Sequence, residues 1–125
     1  IDATVKLDDK LRFYGEERDL LELAGNLLDN AFKYGRSRVR VGGREIAGED
    51  RRPGLVLVVE DDGPGIEAGQ RERLLQRGVR GDERVEGHGL GLAIVGELTD
   101  AYGGTLDIRR SELGGALIEV TLPPA

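Results

Sequence analysis

The chain contains no cysteine. That excludes disulfides, thiolate metal sites and a cysteine nucleophile. It also contains no methionine and begins at Ile1, so it reads as a fragment of a longer protein. Long apolar runs are missing. The longest, Leu55 to Val59, is far shorter than the ~20 residues that cross a bilayer, and no secretory leader pattern is seen. Any membrane anchor is therefore expected outside this segment. A basic surplus is missing too. The net charge is −6, which argues against generic attraction to DNA or RNA.

The 125 residues suit a single domain, 1–125, with one core. Glu16 to Tyr34 reads as a helix, with Leu20, Leu23, Ala24, Leu27 and Ala31 on one apolar face and Gly35 at its C-terminal cap. Ile1 to Leu7 reads as a strand, followed by a second short strand at Leu11 to Tyr14. Ser37 to Val41 alternates as a half-buried strand, and the glycine-rich Gly42 to Gly54 reads as a loop or hairpin connection. Leu55 to Val59 is a central strand and Ala68 to Gln76 a short amphipathic helix. Gly78 to Gly91 is the stretch expected to be most mobile. Leu92 to Tyr102 reads as a helix, and Thr105 to Arg109 pairs with Ala116 to Leu122 across Leu113-Gly114-Gly115. The pattern predicts a two-layer α/β sandwich: a mixed, mostly antiparallel sheet with about three helices on one face.

Three local patterns carry chemistry. On the first long helix, Asn26, Asn30 and Lys33 lie at i, i+4 and i+7, beside the apolar stripe. Asparagine is a poor helix former, so two of them one turn apart ask for a reason. A solvated polar face is one. The other is a hard-cation and phosphate site, because Mg²⁺ takes oxygen ligands and an amide supplies oxygen without adding negative charge. Lys33, one of only three lysines, offers a compact ammonium to a phosphate oxygen.

The second pattern is Asp61-Asp62-Gly63-Pro64-Gly65-Ile66. Asp61 ends a central strand, and an ionised carboxylate can only accept hydrogen bonds, so it is able to take one from a group such as the exocyclic amine of adenine. Guanine presents a carbonyl at that place. Gly63 and Gly65 let backbone approach the base and Ile66 supplies an apolar wall; a plain turn at a strand end uses the same residues. Glu60 and Asp62 read as turn and surface residues.

The third is Gly87-His88-Gly89-Leu90-Gly91-Leu92, which opens a helix. Backbone N–H groups and the helix dipole favour phosphate there. It is neither a Walker A loop nor a Rossmann fingerprint. Arg71, Arg73, Arg77, Arg80 and Arg84 precede it. Spacing alone describes a solvated face, and the glycine loop makes Arg77, Arg80 and Arg84 an anion-facing lid.

Together these patterns resemble the ATP-binding domain of bacterial sensor histidine kinases, the Bergerat-type ATPase fold shared with gyrase and Hsp90. The resemblance spans nearly the whole chain. It is greatest to the PhoQ-like branch, through Val59 to Ile66 and Arg77-Gly78-Val79-Arg80. It implies ATP and Mg²⁺ as cofactors. It gives Asn30 the metal, with Asn26 sharing it, Lys33 a phosphate, and Tyr34 the adenine or ribose. Asp61 becomes the adenine-recognising group, while Arg80 and the Gly87, His88, Gly89, Leu90, Gly91, Leu92 loop hold the triphosphate. Asn30, Lys33 and Arg80 are the implied catalytic residues.

The implied partners are a histidine-bearing dimerisation domain of the parent kinase and a response regulator. The implied setting is a cytoplasmic, monomeric domain of a parent anchored in the inner membrane, with no membrane contact of its own. Asn26 stands where gyrase and Hsp90 carry a water-activating glutamate, which favours transfer over hydrolysis. The alternatives are a gyrase- or Hsp90-type ATPase and a degenerate binding or interaction module. Three departures stand out. Leu74 to Gly78 lacks the family's aromatic residue. Val85 replaces a second lid arginine, with Arg84 beside it. His88 replaces a glutamine that can reach Mg²⁺, and imidazole suits that ion poorly.

Overall fold

The computed structural model describes residues 1–7, 11–49, 51–66 and 91–124. In chain order the elements are β1 (Asp2–Leu7), α1 (Glu17–Tyr34), β2 (Arg38–Ile46), β3 (Gly54–Asp61), α2 (Gly91–Ala101), β4 (Thr105–Arg110) and β5 (Ala116–Leu122). The five strands form one sheet in the order β1-β2-β3-β5-β4. β1 runs parallel to β2, and every other neighbouring pair is antiparallel. This is the expected mixed, mostly antiparallel sheet. Among the described residues two helices accompany it; the Ala68 to Gln76 helix expected as a third lies outside them.

Strand alternation builds the core. Leu55 and Val59 in β3 sit across from Leu122 and Ile118 in β5, and Val120 faces Leu106 of β4. Leu23, Leu27 and Ala31 of α1 and Leu92 and Val95 of α2 close over this surface. Burying such side chains is what stabilises the layers, at roughly 1.5–3 kcal/mol each. α2 carries apolar residues on most sides because it packs on α1 as well as on β4 and β5. The buried Thr99 on it satisfies its hydroxyl by donating to the Val95 carbonyl at 2.7 Å.

Two sequence expectations fail. Leu11 to Tyr14 is not a strand. Leu11 and Phe13 alternate inward because they pack on the core, and alternation reports a buried side, not a hydrogen-bonded neighbour. Gly42 and Gly43 do not open a loop either: β2 continues through them to Ile46, pairing Gly43 with Leu7 on one side and Leu57 on the other. A Cβ on Gly43 would lie 2.7 Å from Leu7 Cδ2 and 3.1 Å from Leu11 Cδ2. The glycine is there so that these leucines can close over the strand, a packing reason that reads as a turn signal in sequence.

Candidate functional site

Asp61 is the last residue of β3 and is only 3% exposed. Main-chain donors hold it. The Gly63 N–H donates to Oδ1 at 2.8 Å and the Ala116 N–H to the same oxygen at 3.4 Å. The Gly115 N–H donates to the Asp61 carbonyl at 3.1 Å. Fixing one carboxylate oxygen fixes the plane of the group. On the other side, Gly63 lies against the Tyr34 carbonyl, where a Cβ would collide. Gly65, with φ of +80°, turns the chain past Gly115, and Ile66 enters the core.

Asp62 behaves as the expected turn residue. It accepts from the N–H groups of Arg36 (2.8 Å) and Ser37 (3.0 Å) and from the Ser37 hydroxyl (2.6 Å). The Ser37 hydroxyl, then these amides, hold its carboxyl far below the usual carboxylate range. Asp62 thus ties the Asp61 turn to the chain leaving α1.

Glu60 is not a surface residue. It is 6% exposed and sits directly across from Arg40 of β2. Arg40 grips it in bidentate fashion, Nε to Oε2 at 2.7 Å and a terminal nitrogen to Oε1 at 3.0 Å, and the Ser111 hydroxyl donates to Oε1 at 2.9 Å. The Arg40 hydrogen bond lowers its pKa against the opposing push of burial. Strand alternation explains the error: residue 60 points away from the face that Asp61 occupies, into a cross-strand ion pair that no local pattern announces.

On α1, Asn30 is buried, Asn26 half-buried and Lys33 exposed. The Asn26 amide donates through Nδ2 to the Glu22 carbonyl at 2.8 Å. Its Oδ1 then faces the start of α2, 3.2 Å from where a Cβ on Gly91 would sit. The Lys33 ammonium lies 5.5 Å from the centre of the half-buried Tyr34 ring. Leu92 is fully buried in the core and anchors the first turn of α2. Arg80, Gly87, His88, Gly89 and Leu90 lie outside the described residues.

The fold thus brings Asn26 to Gly91 and the Tyr34 end of α1 to the Asp61–Gly63 turn. Among the described residues, no three His, Cys, Asp or Glu side chains gather as a metal site. A divalent cation at α1 would therefore rest on the amide oxygens of Asn26 and Asn30 together with phosphate. That donor set suits Mg²⁺, which keeps water and takes few protein ligands. A separate cavity beside Tyr14, Pro53, Tyr102 and Pro123 lies at the opposite end of β3, next to Gly54.

Sequence reasoning missed Glu60, Ser111, Gly115 and Ala116. The one signal in the chain was the doubled glycine at 114–115, read only as a hairpin turn. Gly115 is in fact buried against Asp61, where a Cβ would strike Oδ1.

Residues 15–125 match the family described as histidine kinase-, DNA gyrase B- and HSP90-like ATPases. The chain is 48% identical over 113 residues to the sensor protein kinase CarS of Pseudomonas aeruginosa, covering 90% of this chain and 24% of that protein. It is 40% identical over 120 residues to the sensor protein PhoQ of Escherichia coli K12, covering 96% and 24%. It thus spans about a quarter of the length of the curated relatives it matches. Among solved structures it is similar to the mycobacterial sensor histidine kinase MprB, with a TM-score of 0.75, 30% identity and coverage of 98% of this chain and 81% of that one. It is also similar to the ATP-binding domain of PrrB from Mycobacterium tuberculosis, with a TM-score of 0.71, 26% identity and coverage of 99% and 82%.

Proposed function

This chain belongs to the histidine kinase-, DNA gyrase B- and HSP90-like ATPase family, and from that premise we propose that it is the ATP-binding, catalytic part of a sensor histidine kinase. It binds Mg-ATP and presents the γ-phosphate to a histidine on a separate dimerisation domain of the parent protein, which in turn serves a response regulator. The observation that carries this reading is the held carboxylate of Asp61, on a turn wedged between the end of α1 and the start of β5.

In this reading Asp61 accepts from the adenine amine, with Gly63, Gly65 and Ile66 shaping the base pocket and Tyr34 flanking base or ribose. Asn30 and Asn26 hold Mg²⁺, which supplies charge neutralisation at the phosphates. Lys33 and Arg80 meet phosphate oxygens, and the Gly87, His88, Gly89, Leu90 and Gly91 segment cradles them, with Leu92 as its buried anchor. Catalysis is then positioning and electrostatics. Asn26 has no ionisable group with which to activate water, so transfer is favoured over hydrolysis.

Among the described residues no helix is long and apolar enough to cross a membrane. We place the domain in the cytoplasm, as a monomer when isolated, beneath a membrane-anchored parent. Calorimetry with ATP and GTP, with and without Mg²⁺, tests the binding half of this proposal. ATP binds more tightly than GTP, and Mg²⁺ strengthens it. Equal affinities for the two bases, or no binding, contradict it.

A further inference from the structure

We propose that Ser111 is a positioning residue for base recognition: it sets the β4–β5 turn so that the Gly115 amide holds the Asp61 main-chain carbonyl and the Ala116 amide holds its carboxylate in one plane. The inference rests on the reading of Asp61 as the adenine-selecting group.

The turn is closed on itself by the Ser111 N–H, which donates to the Gly115 carbonyl at 2.8 Å, and by the Gly114 N–H, which donates to the Ser111 carbonyl at 2.9 Å. The Ser111 hydroxyl has two partners. It accepts from the Leu113 N–H at 3.0 Å and donates to Glu60 Oε1 at 2.9 Å. Ser111 therefore ties the turn to residue 60 by a side chain, while Gly115 and Ala116 tie it to residue 61 by main chain. Two consecutive residues of β3 are thus gripped by one turn.

The grip is stiff at both ends. Glu60 is itself anchored to β2 through the bidentate Arg40, and Arg40 reaches Glu112 in the same turn at 2.8 Å. Ser111 is 4% exposed and Glu60 6%, so water does not compete for their hydrogen bond, and its acceptor is a charged group. At the Asp61 end there is no slack: a Cβ added to Gly115 would strike Asp61 Oδ1 and lie 2.6 Å from the Gly63 nitrogen. A shift of the turn is thus passed to the carboxylate. Ser111 acts through Asp61 and is not itself a catalytic residue.

The test measures dissociation constants for Mg-ATP and Mg-inosine triphosphate, together with Tm, on the 125-residue chain and on Asp61→Asn, Ser111→Ala and Ser111→Thr. Inosine carries a carbonyl where adenosine carries the amine. Ser111→Ala weakens ATP about fivefold, the worth of one hydrogen bond, and leaves inosine triphosphate unchanged. Ser111→Thr keeps the hydroxyl and restores the preference for ATP. A merely structural serine would lower Tm and leave the ratio of the two affinities at the parent value, which overturns the inference. If the parent prefers ATP, Asp61→Asn abolishes that preference and Ser111→Ala retains it, the reading of Asp61 stands and only the positioning role falls. If the parent shows no preference, both fall. Should Ser111→Ala fail to fold, Glu60→Gln carries the test: it reduces the preference by weakening the acceptor, and an unchanged preference overturns the inference.

Discussion

The side-chain oxygen of Asn26 faces Gly91 across the gap between α1 and α2, held there because Nδ2 donates to the Glu22 carbonyl at 2.8 Å. A methyl group at position 91 would sit 3.2 Å from that oxygen, tight enough to displace it. Gly91→Ala is therefore expected to weaken Mg-ATP binding, and to do so less when Asn26 is already alanine. A double-mutant cycle read by calorimetry should give a coupling of about 0.5 kcal/mol or more. Strictly additive losses would show that the two positions do not share the nucleotide.

Asp61→Asn exchanges a charged acceptor for a neutral amide that can also present a donor. ATP affinity is expected to fall by about 1–3 kcal/mol, with GTP affinity little changed. Competition binding with both nucleotides measures the difference. Equal losses for ATP and GTP would assign Asp61 to the turn rather than to the base.

Acid stability reports on Asp62. Its folded pKa lies far below the usual value because Ser37 and Arg36 donate to the charged form. A carboxylate lowered in this way contributes stability that is fully present above its unfolded pKa, about 3.9, and is lost as pH falls toward the folded value. The Tm advantage of the parent over Asp62→Asn should hold from neutrality down to about pH 5 and shrink below about pH 4. An advantage that stays constant through the acid range would remove the charge from the account.

Tyr102 joins the far ends of the two helices. Its hydroxyl donates to Asp19 Oδ2 at 2.7 Å and accepts from the Glu16 N–H at 3.0 Å, while its ring meets Phe13 at 5.5 Å between centroids. Tyr102→Phe keeps the ring contact and loses both hydrogen bonds, so unfolding should become easier by about 1–3 kcal/mol in urea. Position 102 lies roughly 16 Å along α2 from Gly91, and nucleotide affinity should be unchanged. A parallel loss of affinity would mean that α2 moves as a whole when this end is released.

Much of this was legible in sequence wherever the cause is local. Leu23, Leu27 and Ala31 announce the buried face of α1 by spacing, and they are buried. The β4–β5 hairpin falls almost where its alternation and doubled glycine put it. The Asp61 turn was visible from its glycines. What sequence did not show depends on partners far along the chain. Gly43 is a strand residue because Leu7, Leu11 and Leu57 close over it. Glu60 is buried because Arg40 and Ser111 satisfy it. The grip of Gly115 and Ala116 on Asp61 spans two elements distant in sequence, and a turn signal carries no information about what the turn touches.

We propose a division of labour in which this chain supplies ATP and another domain supplies the histidine. Incubation with γ-labelled ATP, first alone and then with the histidine-bearing dimerisation domain of the parent protein added in trans, tests it directly. No appreciable label or phosphate release is expected from the chain alone, and acid-labile label is expected on the added domain. Strong acid-labile labelling of the isolated chain that disappears in His88→Ala would contradict it.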